Sequence, residues 1–222
     1  MDWTLLEDAE SVAQTTCQRI IDAAREAIDQ RGQFSLVLAG GRTPARAYEL
    51  LAQQESDWEH WHLYFGDERC LPADHPERNS LMVTQSLSIK VPIPAAQVHP
   101  IPAELGAEQA AAHYTEELKA VLPFDLVLLG LGEDGHTASL FPGQNHPEGP
   151  TVLPVHNAPK PPPDRVSLSA AILGNCRQLI FVVTGTGKQL AVHRWRQGED
   201  LPASRIIPAG RGEILIDRAA LP

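Results

Sequence analysis

The sequence has few cysteines and no long apolar run, and each deficit excludes a class of protein. Its three cysteines, Cys17, Cys70 and Cys176, form no C-x-x-C pair, which argues against a disulfide scaffold or a zinc site and favours a reducing compartment. No stretch approaches the roughly 20 apolar residues of a membrane span, and the acidic start, MDWTLLED, is unlike a secretion signal. We therefore expect a cytoplasmic protein with no membrane partner.

Basic residues are also in deficit, since 18 Lys and Arg stand against 28 Asp and Glu, for a formal net charge of −10. This balance argues against nucleic acid as a partner. The deficit is uneven, because from Lys160 to the end nine basic residues stand against five acidic ones. A small anionic ligand is therefore compatible with the C-terminal part, although most of these charges are expected to be solvated surface.

Hydrophobic residues make up 43% of the 222 residues and charged residues 21%, which is typical of a globular domain with a sizeable core. Short apolar runs alternate with stretches in which apolar residues recur at helical spacing. Strands are predicted at 34–39, 61–65, 97–101, 124–129, 165–171, 178–184 and 213–217, and helices at 7–31, 44–51, 76–89, 106–121 and 187–195. This alternation predicts a single α/β domain over residues 1–222, with a mostly parallel, Rossmann-like sheet in a three-layer α/β/α arrangement.

Polar loops follow four of the predicted strands, namely GGRT at 40–43, GDER at 66–69, GEDGH at 132–136 and TGTGK at 184–188. Ligands of open α/β sheets bind at the carboxyl ends of the strands, so we expect the four loops to share one rim. The first loop offers backbone N–H groups and a hydroxyl at a helix start, and Lys188 adds a charge to the last; both suit a single phosphate. Each loop alone is equally compatible with a plain tight turn that caps a helix.

Two nucleotide-binding motifs are matched only in part. Gly130, Gly132 and Gly135 have the spacing of a dinucleotide fingerprint, but no acidic residue follows at ~20 residues, and Glu133 and Asp134 would repel a diphosphate. The TGTGK loop lacks the earlier glycine of a P-loop and the Ser or Thr after its lysine. We therefore expect neither a nicotinamide cofactor nor a nucleoside triphosphate, and no cofactor of another kind.

His136 is the candidate for proton transfer. Asp134 can orient the imidazole and fix its tautomer, which suits His136 to act as a general base near pH 7. No second histidine stands at the H-x-x-x-H spacing of a metal site, and no G-x-S-x-G elbow is present. The pattern therefore favours neither a metal centre nor an acyl-enzyme.

Several of these motifs stand in a characteristic order along nearly the whole chain. They are GGRTP at 40–44, DER at 67–69, GLGEDGHTASLFP at 130–142, and Lys160 with Arg165. Together they resemble the 6-phosphogluconolactonase family, which shares a superfamily with glucosamine-6-phosphate deaminase and ribose-5-phosphate isomerase. The resemblance implies a single-domain α/β fold, a cytoplasmic location, and hydrolysis of 6-phosphogluconolactone in the pentose phosphate pathway.

The resemblance also implies roles at the reacting end of the substrate. His136 would activate water against the lactone carbonyl, and Asp134 would orient it. Arg69 would lie close to the lactone and is the candidate for stabilising the oxyanion. Asp67 occupies the position of the proton-abstracting carboxylate of the deaminase and would contact sugar hydroxyls here.

The same resemblance implies which residues bind the phosphate group of the substrate. Arg165, Lys188 and the glycine loop, formed by Gly40, Gly41, Arg42 and Thr43, would hold the phosphate. Arg42 departs from the pattern, because the lactonase loop more commonly carries serine there. Its side chain would either add a phosphate contact or lie in solvent.

Phe141 separates the two sister enzymes. The deaminase carries a glutamate five residues after the equivalent of His136, and this chain has Phe141 there, which disfavours a deaminase. A sugar-phosphate isomerase or deaminase and a non-catalytic sugar-phosphate sensor remain the alternatives; a sensor would need a DNA-binding segment, and no helix-turn-helix precedes the sheet. The expected partner is a small-molecule substrate, bound by a monomer, with a dimer as the alternative.

Overall fold

The computed structural model describes residues 1–147 and 149–222, which form nine strands and six α-helices. The strands are β1 (Asp2–Leu6), β2 (Phe34–Leu38), β3 (Trp61–Phe65), β4 (Asp67–Arg69), β5 (Phe124–Gly130), β6 (Val152–Val155), β7 (Arg165–Leu168), β8 (Cys176–Val183) and β9 (Arg211–Asp217). The helices are α1 (Ala9–Arg31), α2 (Arg42–Leu51), α3 (Asn79–Val83), α4 (Ala107–Leu118), α5 (Ala170–Gly174) and α6 (Gln189–Arg196). A wide turn, Thr84–Ser88, continues α3.

The first helix shows how the local sequence sets an element's ends. The Asp8 side chain accepts a hydrogen bond from the Ser11 N–H at 2.8 Å, which satisfies one of the unpaired donors at the start of α1. Gly32 ends the helix with φ +76°, a conformation that glycine adopts without steric penalty. Between them α1 buries an apolar face that packs across β2, β5, β8 and β9.

Six strands form one wholly parallel sheet in the order β1-β9-β8-β5-β2-β3. All five residues of β2 are buried, as are the first six of β5, which is expected of strands covered on both faces. Because the strands are parallel, the loops after β2, β3, β5 and β8 emerge at the same edge. The fold is therefore the expected α/β arrangement, with its polar loops gathered on one rim.

A second sheet stands at that rim. Its three strands are antiparallel in the order β4-β7-β6, and the register pairs Asp67 with Ser167 and Arg69 with Arg165. Residues 66–69 are predicted from the sequence as a loop after a strand. The structure shows instead that this polar segment forms a strand of its own and that β7 carries Arg165 to its side.

A buried ion pair supports this small sheet. Glu68 is fully buried and Arg78 is 2% exposed, and the Arg78 Nε lies 3.1 Å from a Glu68 carboxylate oxygen. Glu68 also accepts hydrogen bonds from the backbone N–H groups of Asn79 and Ser80, both at 2.8 Å. The carboxylate therefore joins β4 to the start of α3.

Some predicted elements are wrong or were missed. The strand predicted at 97–101 is absent: Val98 makes one isolated bridge to Leu63, and Pro100 has no N–H to donate to a ladder. The strand predicted at 165–171 ends at Leu168, and a short helix, α5, follows. Strands β1 and β6 were not predicted from the sequence. No helix of the described residues is long and apolar enough to cross a membrane.

Candidate active site

The catalytic candidates lie on the turn that follows β5. The Gly132 N–H donates to the His136 carbonyl oxygen at 2.7 Å, and the Gly135 N–H donates to the Gly132 carbonyl oxygen at 3.0 Å, which closes the turn. Gly135 has φ +92°, and the turn needs this conformation. The Thr137 hydroxyl then donates back to the Gly130 carbonyl oxygen at 2.8 Å, so the turn is fixed at both ends.

The turn brings His136 and Asp134 into direct contact. The His136 Nδ1 lies 2.5 Å from the Asp134 Oδ1, which also accepts the His136 backbone N–H at 3.1 Å. A carboxylate at Nδ1 holds the proton there and leaves Nε2 as the basic nitrogen. The described residues give that Nε2 no hydrogen-bond partner, and His136 lines a cleft of about 310 Å³. Its free nitrogen is therefore available to a bound molecule.

Gly132 makes room for the imidazole. A Cβ on Gly132 would lie 2.0 Å from the His136 Nδ1 and 2.3 Å from its Cε1. On its other side the ring packs against Phe141, with ring centroids 4.7 Å apart. Gly132 and the fully buried Phe141 ring together restrict the imidazole to one position.

The environment keeps His136 neutral near pH 7. Burial lowers the pKa of His136 below its ordinary value of about 6.5, the hydrogen bond and charge of Asp134 oppose this, and the Lys160 charge adds to the lowering. Burial also tends to raise the pKa of Asp134, but hydrogen bonds from His136 outweigh it and leave that pKa below its ordinary value. The pair is therefore an ionised carboxylate beside a neutral imidazole, which is the state a general base needs.

Asp67 faces the same cleft and is held by two donors. The Ser139 hydroxyl donates to its Oδ2 at 2.6 Å, and the Asn79 amide donates to its Oδ1 at 3.2 Å and to its carbonyl oxygen at 2.9 Å. The Asn79 side chain in turn lies against Gly40, where a Cβ would be 2.1 Å from the Asn79 Oδ1. Asn79 therefore connects the Asp67 strand to the glycine loop.

The glycine loop and the last loop form the far end of the cleft. The hydroxyls of Thr43 and Thr184 are 2.7 Å apart, so the two loops touch. Gly41 precedes α2 with φ +115°, and no side chain caps that helix, which leaves the N–H groups of its first turn free of intrahelical partners. A pocket of about 570 Å³ adjoins the cleft here, and the two share Lys188 in their walls. This end is suited to an anion.

The three arginines of the candidate set have different surroundings. Arg42 is exposed and lines the adjoining pocket. Arg69 lines the cleft, but its Nη1 donates to the Glu77 carbonyl oxygen and its Nε has no partner in the part of the chain that the structure describes. Arg165 is 5% exposed and lines the cleft, and three of its N–H groups donate to backbone carbonyl oxygens of residues 160–162.

The structure therefore brings nine of the ten candidates to the cleft or to the pocket beside it, and the tenth, Asp134, holds His136 from behind. Asn79, Ser139 and Thr184 were not predicted as site residues, because each acts through a contact with a residue distant in the chain. Lys160, noted in the sequence only as a motif residue, also lines the cleft. No group of three His, Cys, Asp or Glu within residues 1–147 and 149–222 is arranged to hold a metal ion.

The family model and two similar relatives place the chain in the same family. The family described as glucosamine-6-phosphate isomerases/6-phosphogluconolactonase matches residues 7–216. The 6-phosphogluconolactonase of Synechocystis is 38% identical over 212 residues, which cover 88% of this chain and 86% of that protein. The human 6-phosphogluconolactonase is 37% identical over 229 residues, which cover 95% of this chain and 87% of that protein.

The fold agrees with a solved structure. The crystal structure of 6-phosphogluconolactonase from Thermotoga maritima superposes with a TM-score of 0.91 at 28% identity, and the match covers 98% of this chain and 99% of that one. The family match spans most of the chain, including all the candidate site residues. This chain therefore belongs to the glucosamine-6-phosphate isomerase/6-phosphogluconolactonase family.

Proposed function

We propose that this protein hydrolyses 6-phospho-D-glucono-1,5-lactone to 6-phospho-D-gluconate, a step of the oxidative pentose phosphate pathway. The observation that carries the proposal is the His136–Asp134 pair, whose free Nε2 faces a cleft that ends in a lysine and a glycine loop. A neutral base at one end and an anion site at the other match a lactone that carries a phosphate. The relatives named above support the same activity.

The reaction begins with water. His136 Nε2 takes a proton from a water molecule as the water oxygen bonds to C1, and the carbonyl becomes a tetrahedral oxyanion. The intermediate collapses with cleavage of the C1–O5 bond, and the imidazolium returns the proton to O5. Asp134 stays ionised throughout and stabilises the imidazolium. His136 therefore serves both proton transfers, and acid–base catalysis of this kind is typically worth ~10²- to 10⁴-fold in rate.

The phosphate binds at the far end of the cleft in this proposal. Lys188 and the free N–H groups at the start of α2 are the main ligands, with the Thr43 hydroxyl beside them. Arg42 has room to approach from the adjoining pocket. Arg165 contributes its remaining guanidinium nitrogen, Nη1, for which the described residues provide no hydrogen-bond partner. Binding energy at this end holds the ring against His136.

Sugar hydroxyls are the expected ligands of Asp67 and Arg69. Ser139 and Asn79 already donate to the Asp67 carboxylate, so the group is held in one orientation and accepts a further hydroxyl at its remaining lone pairs. Arg69 lines the cleft from the end of β4, and its Nη2, which makes no hydrogen bond within the described residues, is the expected donor to the ring. These contacts would select a polyhydroxylated ring over a simple lactone.

Phe141 argues against the sister reaction. Ring opening and deamination of an amino sugar need a further acid–base group beside the histidine, and the residue packed on His136 is a phenyl ring that exchanges no protons. The lactonase reaction needs one base only. A deaminase is therefore disfavoured by the same contact that fixes the imidazole.

The test is a coupled assay of the purified protein. Freshly made lactone is mixed with the enzyme, 6-phosphogluconate is detected through its dehydrogenase, and the rate of spontaneous hydrolysis is subtracted. We expect turnover well above the spontaneous rate, and no ammonia released from glucosamine 6-phosphate. Ammonia release without lactone hydrolysis would overturn the assignment in favour of a deaminase.

We further propose that the protein works in the cytoplasm as a monomer, with the sugar phosphate as its partner. Its three cysteines are free thiols, two of them buried, as expected in a reducing compartment. Size-exclusion chromatography with multi-angle light scattering tests the oligomeric state. A stable dimer would contradict this part of the proposal and leave the reaction unaffected.

A further inference from the structure

The chain has only four lysines, and two of them line the cleft. The four are Lys90, Lys119, Lys160 and Lys188, and the last two line the same cavity as His136. Lys160 comes from the proline loop, residues 158–164, which connects β6 to β7 in the small sheet. The reaction described above gives Lys160 no role.

Neither cleft lysine has an acidic partner among residues 1–147 and 149–222. Within the described residues no carboxylate oxygen lies within 4.0 Å of the Lys160 or Lys188 Nζ, whereas Lys119 pairs with Glu116 at 2.6 Å. In a chain with ten excess negative charges, two unpaired ammonium groups in one partly buried cleft are unexpected. Burial of a charge without a partner is costly, so a ligand that brings negative charge offsets that cost.

The proline loop is held rigidly by Arg165. The guanidinium donates to the carbonyl oxygens of Lys160 at 3.1 Å, Pro161 at 2.9 Å and Pro162 at 3.1 Å. Most of the N–H groups of this buried arginine therefore donate to the backbone of the loop that carries Lys160. Arg165 acts chiefly as a positioning residue for that loop.

His156 holds the loop from its other side. Its two ring nitrogens lie 2.8 Å from an Asp164 carboxylate oxygen and 2.6 Å from a Glu108 carboxylate oxygen, and these contacts raise the pKa of His156. The Gln144 amide donates to the His156 carbonyl oxygen at 3.1 Å. The loop is thus fixed to α4 and to the segment that follows the His136 turn, and the Lys160 main chain is preorganised before substrate binds.

The Lys160 charge acts on both ends of the site. It is the nearby cation whose field, after the larger effect of burial, lowers the pKa of His136, and it adds in the same way to the lowered pKa of Lys188. The phosphate end already has Lys188 and the helix start. Arg69 and Arg165 also line the cleft, but the Arg69 Nη1 donates to the Glu77 carbonyl oxygen and three Arg165 N–H groups donate to the proline loop.

We propose that Lys160, rather than Arg69, supplies the positive charge that stabilises the oxyanion at C1 during lactone hydrolysis. This inference rests on the proposed function. The Lys160 ammonium keeps its proton throughout. As water adds to C1, the carbonyl π electrons move to the oxygen, and the resulting oxyanion contacts the ammonium. The electrons re-form the carbonyl as the C1–O5 bond breaks. Lys160 would therefore touch the reacting group and count as a catalytic residue.

The experiment compares Lys160→Met with the matched surface variant Lys119→Met on two substrates, 6-phosphogluconolactone and unphosphorylated glucono-1,5-lactone. Loss of an oxyanion-stabilising group typically costs ~10²- to 10³-fold in kcat, and we expect about the lower figure with little change in KM. The same factor is expected on both substrates, because the oxyanion is common to them. Lys119→Met should behave as the wild type.

Two further measurements separate the alternatives. Lys160→Arg should restore part of kcat, and Lys160→Met should move the acid limb of the kcat/KM profile to higher pH, because the field of Lys160 on His136 is removed while Asp134 and Asp67 remain. A loss confined to the phosphorylated substrate would make Lys160 a phosphate ligand and overturn the proposal, as would unchanged kcat. A wild-type protein inactive on both lactones would instead refute the proposed function.

Discussion

At the scale of single residues, the site depends on how little freedom His136 has. The imidazole lies between Gly132 and Phe141 and is tied to Asp134, so its Nε2 is presented in one direction. Such preorganisation removes the cost of orienting the base at each turnover. Small changes around the ring should therefore affect kcat more than stability.

Gly132→Ala tests this confinement. The new Cβ would lie 2.0 Å from the Nδ1 and must displace the ring, so we expect kcat to fall by at least about tenfold with the fold retained, since misplacement of about 1 Å can cost ~10² in rate. Steady-state kinetics and circular dichroism measure the two effects. If the glycine acts through the imidazole, Gly132→Ala should add no further loss to His136→Ala; additive losses would contradict this explanation.

The pH profile is a second prediction at this scale. The base must be neutral, and burial holds the pKa of His136 below about 6.5, so kcat/KM should be flat above neutrality and fall as pH drops through that pKa. Asp134→Asn removes interactions that raise the pKa, so the acid limb should move to still lower pH while kcat falls. A limb that moves to higher pH in Asp134→Asn would show that the carboxylate does not act on His136 in this way.

At the scale of elements, the small antiparallel sheet determines which polar groups reach the cleft. It places Asp67 and Arg69 on β4 beside Arg165 on β7, and α3 follows with Asn79. Glu68 and Arg78 are buried among these elements and join them. Because a buried charge is stable only with its partner, this pair should carry much of the local stability.

Glu68→Ala is the corresponding prediction. It leaves Arg78 paired with Glu104 alone, at 3.2 Å, and removes the acceptor of the Asn79 and Ser80 N–H groups. We expect the free energy of unfolding to fall by about 3 kcal/mol, the lower end of the cost of breaking a buried pair, because Arg78 is not left wholly unpaired. Glu116→Ala, which breaks the exposed pair with Lys119, is the control and should cost only about 0.3–0.5 kcal/mol. Urea unfolding measures both. Equal losses would mean that Glu68 is not a structural anchor.

Sequence reasoning predicted the central strands and the catalytic turn, and it failed where contacts are distant. The run from Phe124 onward is recognisable because both faces of β5 are buried, which leaves an unbroken apolar stretch. The edge strand β1 and the proline-containing β6 lack such a run. The Ser139–Asp67 contact joins residues 72 apart in the chain, so no local sequence pattern predicts it.

At the scale of the whole molecule, the parallel order of the strands assembles one cleft from loops spread over residues 40–188. The chain is acidic overall, yet Lys160, Lys188, Arg69 and Arg165 all line this cleft. A local concentration of positive charge on an acidic protein directs small anions to one place. In the proposed reaction, the position of His136 among these cations makes the anion site a catalytic one.

The measurement that tests this account most directly is the comparison of His136→Ala with the wild type on fresh 6-phosphogluconolactone. We predict that kcat falls by ~10²- to 10⁴-fold while KM changes little, because the variant loses the base and keeps the phosphate end of the cleft. The coupled assay, corrected for spontaneous hydrolysis, gives both constants. Near-normal turnover by His136→Ala would contradict the assignment of His136 as the base.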